Sequence, residues 1–330
     1  MPITINLKSA VLAVSDALDL VGVSDFQHGK RVAMIARETA ALMGLPEARL
    51  DNLVFACLLH DLGVSSTVEH RRLVSDDPCV DRQAHCERAF ELLQPFTHLS
   101  LLANAIRHHH TPWTDLPADL SEADAIDSNL IQLADRVDRL VLRHGLENPL
   151  FHSTDICREI SALAGGVLQP DVVDAFLAAA SREAFWIALV PRHVQTYLNE
   201  LALPQWGVTI AFPQFRHVAC LVSSIVDAKS HFTASHSLGV AQLSRYLGER
   251  MGFAPDSLAM MEIAGLMHDI GKLCVPDEIV EKPARLTVAE FSVMERHSFE
   301  TYQILRHVPG LETVAEWAAF HHEALNGHGY

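Results

Sequence analysis

An all-α protein made of two tandem helical bundles is the fold class this chain predicts, on three observations. Apolar residues recur at i, i+3, i+4 and i+7 in segments that stop at a glycine, the usual residue just past a helix end. Alternating strand-like runs bounded by turn dipeptides are nearly absent. Sliding the sequence along itself by 208 residues also lays the stretch from Leu18 over the stretch from Val226 without a gap. In that register Asp19 falls on Asp227, His28 on His236, Gly44 on Gly252, and His60-Asp61 on His268-Asp269.

The elements follow in order. The first twenty residues are apolar but interrupted by Lys8, Asp16 and Asp19, without the basic start and small-residue cleavage pattern of a signal peptide. Residues 32–44 and their repeat 240–252 read as amphipathic helices. Residues 48–61 and 256–269 are apolar enough to be central helices, each ending in a His-Asp pair. Residues 153–200 read as further helices closing the first module. The stretch from Leu201 to Phe215, with Pro204, Gly207, Pro213 and a short β-like run over 208–212, is the best linker. The expected domains are therefore 1–204 and 205–330.

Composition narrows the function. The chain has 330 residues, 49% of them hydrophobic, and 25 Lys+Arg against 41 Asp+Glu leave a net charge of −16. Such acidity excludes a protein that grips nucleic acid polymer through counterion release, and any phosphate chemistry here needs cations to neutralise its substrate. No run approaches the ~20 apolar residues of a membrane span. Six scattered cysteines form no CxxC pair, so neither a zinc ribbon nor a redox motif is indicated, and a cytoplasmic home is expected.

The 20 histidines carry the chemistry. Each copy has a helical His, a His-Asp pair 32 residues later, a lone His, then adjacent histidines. In the second copy these are His236, His268, Asp269, His297, His321 and His322. In the first they are His28, His60, Asp61, His85, His108 and His109, with the register of the last two against His110 left open, followed by Asp135. Imidazole and carboxylate without thiolate suit divalent first-row metals such as Mn, Fe, Ni or Zn, and so many ligands suggest two ions per module. The remaining histidines and Trp113, Trp186, Trp206 and Trp317 read as ordinary surface or packing residues. The counterpart of Asp135 in the second copy would fall near position 348, past Tyr330, so the second module reads as cut within its motif.

This H…HD…H…HH…D order resembles the HD phosphohydrolase superfamily. The second copy resembles its HD-GYP branch over residues 227–330: Asp227, Lys229, Thr233 and His236, then Met267 to Lys272, then Lys282, Leu286, Thr287, Glu290 and His297, then His321, His322, Glu323, Gly327, Gly329 and Tyr330. The first copy resembles only the wider superfamily. Val64 stands where the second copy has Lys272, and the run from His108 to Asp115 replaces the HHE-GxGY signature. That copy therefore reads as a regulatory or degenerate domain.

The resemblance implies a metal-dependent phosphodiesterase that opens cyclic di-GMP or cyclic GMP-AMP to the linear dinucleotide, through a hydroxide shared by two cations, with Fe or Mn expected. It implies Asp269 as the bridge, His236 and His268 on one ion, and His297, His321 and His322 on the other. It also implies Lys272 on the phosphate, with Gly327, Gly329 and Tyr330 at the nucleotide. Phe232 stands where some members carry a glutamate for a third metal, so two ions are expected. The partner implied is a cyclic dinucleotide, with a homo-oligomer or a signalling protein left open. The alternative is a non-catalytic scaffold that senses nucleotide or binds protein.

Overall fold

A computed structural model describes residues 4–21, 27–64, 66–73, 81–204, 206–229 and 236–330. Thr233, Phe232, His231 and Cys79 lie outside these. The helices are α1 (Leu7–Asp19), α2 (His28–Leu42), α3 (Glu47–Leu59), α4 (Thr67–Leu73), α5 (Gln83–Leu93), α6 (Ala103–Arg107), α7 (Glu122–His144), α8 (Ser153–Ser161), α9 (Pro170–Ala180), α10 (Glu183–Ile187) and α11 (Pro191–Glu200). After these come α12 (Phe212–Ala228), α13 (His236–Arg250), α14 (Pro255–Met267), α15 (Asp277–Val280), α16 (Val288–Leu305) and α17 (Glu312–Ala319). The expected all-α class is what folds. No described helix is long and apolar enough to cross a membrane.

Among the described residues, two strands are the exception. Thr4–Asn6 (β1) pairs antiparallel with Thr209–Ala211 (β2), Ile5 opposite Ile210. The β-like run over 208–212 is thus part of a sheet rather than a free linker. Its partner comes from the amino terminus, where the backbone groups of Thr4–Asn6 would otherwise be unpaired.

The chain forms two compact units that differ from the expected halves. One comprises 1–24, 64–75 and 206–330, and the other 25–63 and 76–205. The last crossing between them falls at 205–206, while two segments of the first half fold with the second. The reason is burial: Leu7, Val11 and Val14 of α1 are fully buried, and α1 packs on α16 and on the turn Ile270–Cys274. Periodicity identifies such a buried face without naming the element that covers it.

Within the 25–63/76–205 unit, α2 lies against α3, α7 and α9. Ten of its fifteen residues are buried. Its repeat α13 packs on α14 and α12 in the other unit. There Leu243, Tyr246 and Leu247 stay exposed, and no described helix takes the place that α7 occupies against α2.

Candidate metal centres

The same backbone device builds the ligand cluster of each unit. α3 and α14 each end at the histidine of a His-Asp pair, and a tight turn then brings the chain beneath the third histidine. That turn needs glycine. A Cβ on Gly271 would lie 2.0 Å from the carbonyl oxygen of His297, and one on Gly63 would lie 2.0 Å from that of His85. In the second copy Thr301 adds a tie, accepting from the Gly271 amide at 3.1 Å and donating to the His268 carbonyl at 3.1 Å.

All six expected ligands of the second copy converge. From Asp269, His268 Nε2 is 3.1 Å from Oδ2 and His236 Nε2 3.9 Å, while His297 and His321 Nε2 are each 3.7 Å from Oδ1. His322 stands against the rings of His297 and His321, at 5.1 and 4.1 Å between centroids. Three rings are oriented by their own helices: Nδ1 of His268, His297 and His321 donates to the carbonyl three residues earlier, of Gly265, Met294 and Ala318. This fixes the tautomer and leaves each Nε2 lone pair facing inward.

The electrostatics agree. Burial alone would raise the Asp269 carboxyl, but the contact with His268 and the Lys272 ammonium outweigh it and hold the group far below the usual carboxylate range. Burial pushes His321 down to about 3 and lowers His297 and His322. Neutral imidazoles around an ionised carboxylate are the donor state a metal requires. Asp269 Oδ1 is buried without a hydrogen bond. His297 Nε2 and His321 Nε2 lie 3.3 Å apart, close to the ~3.4 Å that two nitrogens span on one ion with ~2.0–2.1 Å bonds. The residues present fit divalent cations.

Lys272 reaches Asp269 Oδ2 with its Nζ at 2.6 Å. A 620 Å³ cavity opens beside the cluster, bordered by His236, His268, Asp269, Lys272, His321 and His322 and walled by apolar side chains including Phe253 and Trp317. Trp317, read from the sequence as packing, thus faces open space beside the ligands. A second cavity of 340 Å³ meets the cluster from the side of His297, Lys229 and Tyr330. Tyr330 stacks on His322 at 4.6 Å. Gly329 tucks against the carbonyl of His322, where a Cβ would fall at 2.3 Å, and the Glu323 carboxylate accepts from the Ala324 and Gly329 amides. Gly327 has φ 71°, the left-handed region that favours glycine. The GxGY run is therefore a loop folded onto its own histidine pair.

In the first copy the expected His28, His60, Asp61, His85 and Asp135 also meet. His60 Nε2 and His85 Nε2 are each 3.4 Å from an Asp61 oxygen, and His28 Nε2 is 3.7 Å from Asp61 and 3.6 Å from Asp135. The histidine pair needs correction. His109 and His110, not His108 and His109, face His85, with His85 Nε2 3.4 Å from His109 Nε2 and the His110 ring 5.1 Å away. His108 ends α6 outside the cluster, half-buried. The spacing from His85 to His109 is then 24, the same as from His297 to His321. That equality is the signal the sequence offered.

Two further groups escaped the sequence reading. Asp138 accepts from His28 Nδ1 at 2.7 Å and pairs with buried Arg31, and its hold raises His28 to about 9 against the opposing effect of burial. Cys86 donates its thiol to the Arg82 carbonyl, the position that in the second copy, as Met294, orients its histidine. His85 Nδ1 is left buried without a hydrogen bond.

Comparison with known proteins places this geometry. The HD domain family model matches residues 25–140 and 233–328. The chain belongs to the HD domain family. Both HD copies are covered, with all the clustered histidines inside them. Over 99% of this HD chain and 77% of the relative, it is 36% identical to 3'3'-cGAMP-specific phosphodiesterase 1 of Vibrio cholerae. Over 99% and 81% it is 23% identical to 3'3'-cGAMP-specific phosphodiesterase 3 of the same organism. The crystal structure of a Vibrio cholerae cyclic GMP-AMP-specific phosphodiesterase superposes with a TM-score of 0.71 at 22% identity, covering 92% of this chain and 80% of that one. The tandem HD fold is shared.

Proposed function

We propose that the protein is a metal-dependent phosphodiesterase that linearises a cyclic dinucleotide, 3'3'-cGAMP first and cyclic di-GMP second, at the centre around Asp269. The observation that carries this is the convergence of five imidazoles on one ionised, partly unsatisfied carboxylate, with a lysine ammonium beside it and a 620 Å³ cavity open to it. The relative named 3'3'-cGAMP-specific phosphodiesterase 1, matched over 99% of this chain and 77% of its own length, supports the substrate.

Two divalent cations, Fe or Mn, would be held by His236, His268, Asp269, His297, His321 and His322. Such a pair lowers the pKa of water and neutralises charge on a phosphoryl oxygen. Asp269, ionised and flanked by both histidine groups, would serve as a ligand to these ions. Lys272 places a point charge at the cavity edge, where negative charge develops on the phosphodiester. Trp317 and Phe253 give one wall apolar flat surface for a base. Tyr330 borders the smaller cavity that meets the cluster from the side of His297.

The first copy supports a different role. It keeps a ligand cluster, but Val64 stands where Lys272 would act and the HHE-GxGY loop is missing. We assign it a metal-holding regulatory or sensing role in a cytoplasmic signalling enzyme. The purified chain, reconstituted with Mn or Fe and checked by elemental analysis, should convert 3'3'-cGAMP or cyclic di-GMP to the linear product, and Asp269→Ala should abolish it. No turnover of either substrate by metal-loaded protein sinks the reading.

A further inference from the structure

Lys229 borders the smaller cavity together with Lys272, yet its ammonium has nothing left to give a substrate. It donates to the Leu273 carbonyl at 3.1 Å and to Thr67 Oγ1 at 3.3 Å, and it pairs with Asp277 Oδ1 at 3.1 Å. A lysine has three N–H donors, and three acceptors take them. The side chain is 1% exposed.

Asp277 is equally engaged. Besides Lys229 it accepts from Ser66 Oγ at 2.8 Å, Thr67 Oγ1 at 2.9 Å, and the Thr67 and Val68 amides at 3.2 and 3.1 Å. Although burial opposes it, the Lys229 charge and these bonds hold its carboxyl down at about 2. Ser66 precedes α4 and Thr67 and Val68 begin it; in chain order this segment follows the first His-Asp pair but folds with the second copy. Under the 208-residue offset, Lys229 falls on Val21 and Lys272 on Val64. The first copy therefore has neither lysine.

We propose that Thr67, acting through Asp277 and Lys229, is a positioning residue for Lys272, so that a segment lying within the first copy's stretch of chain is a working part of the second copy's site. The path is short. Lys229 holds the carbonyl of Leu273, the residue after Lys272, within the single turn Ile270–Cys274 that also follows Asp269. Removing the Thr67 hydroxyl leaves a buried ammonium short of one acceptor, a state that costs more than the bond itself is worth. The turn relaxes toward whatever satisfies it, and small misplacements of a charged group near the reacting atoms are expensive in rate.

The proposal rests on the hydrolase reading above, and its test separates the two. In the full chain, isosteric Thr67→Val should lower kcat for 3'3'-cGAMP about tenfold, with KM and metal content near wild type. It should also raise amide hydrogen exchange in the peptide 268–276 severalfold. Thr67→Ser, which keeps the hydroxyl, should restore both. Wild-type kcat and wild-type exchange in Thr67→Val overturn the proposal, as do equal losses in Thr67→Val and Thr67→Ser, which would show that only packing is lost. If Thr67→Val does not fold, Ser66→Ala carries the same exchange comparison with a smaller rise, and an unchanged profile there is equally fatal. If wild-type protein turns over no cyclic dinucleotide, the hydrolase reading fails while the exchange comparison still decides the positioning claim.

Discussion

Lys272 is the residue whose removal isolates chemistry from metal binding. It touches Asp269 Oδ2 without being a ligand, so Lys272→Met should leave metal content unchanged and lower kcat about 10²-fold, within the range for losing one preorganised electrostatic group. Steady-state kinetics beside elemental analysis checks this, and equal loss of metal and rate would make Lys272 structural. Asp277 belongs to the same scale. Its folded pKa of about 2 lies below the ordinary 3.8, so its contribution to stability is complete above the ordinary value and is lost as the pH falls through about 2. Urea midpoints of the wild type should drop over that window, and Asp277→Asn should start lower and fall less steeply.

The turn after the His-Asp pair is the element on which each centre depends. Gly271 and Gly63 sit where any Cβ would meet a carbonyl at 2.0 Å, with backbone on both sides and no flexible side chain to give way. Gly271→Ala should destabilise its unit by at least the ~1–3 kcal/mol typical of overpacking, read as a lower melting temperature, and should remove hydrolysis. Gly63→Ala should disturb the first copy's cluster and leave a folded, metal-holding second copy. The two variants thus separate the centres without touching a ligand. The copies also differ in how the third histidine is held: Met294 orients His297, whereas Cys86 occupies the equivalent carbonyl and His85 Nδ1 has no hydrogen bond. A less oriented ligand binds metal more weakly, so graded chelator should strip the first centre before the second. Metal per chain should then step from about four to about two.

At the scale of the molecule, the units interleave along the chain. A fragment of residues 206–330 lacks α1, whose buried Leu7, Val11 and Val14 belong to that unit's core, and lacks β1 and α4. It should show no cooperative unfolding transition by circular dichroism, while the full chain does. A cooperative, metal-binding fragment would show that the added segments are ornamental.

By itself the sequence determined the class, the duplication and most of the histidines and carboxylates that cluster. Helical periodicity and a gapless 208-residue repeat are local, additive signals, and the order of His and Asp along the chain survives any folding. It left His108 against His110 open because three adjacent histidines share one helix end, and only packing decides which two face His85. The assignment of 1–24 and 64–75 to the second copy's unit, the Asp138 support beneath His28 and the Lys229–Asp277–Thr67 contact were decided by the tertiary structure alone. Each is a contact between residues far apart in sequence, and a buried charge finds its partner by proximity in space, which spacing along a chain does not encode.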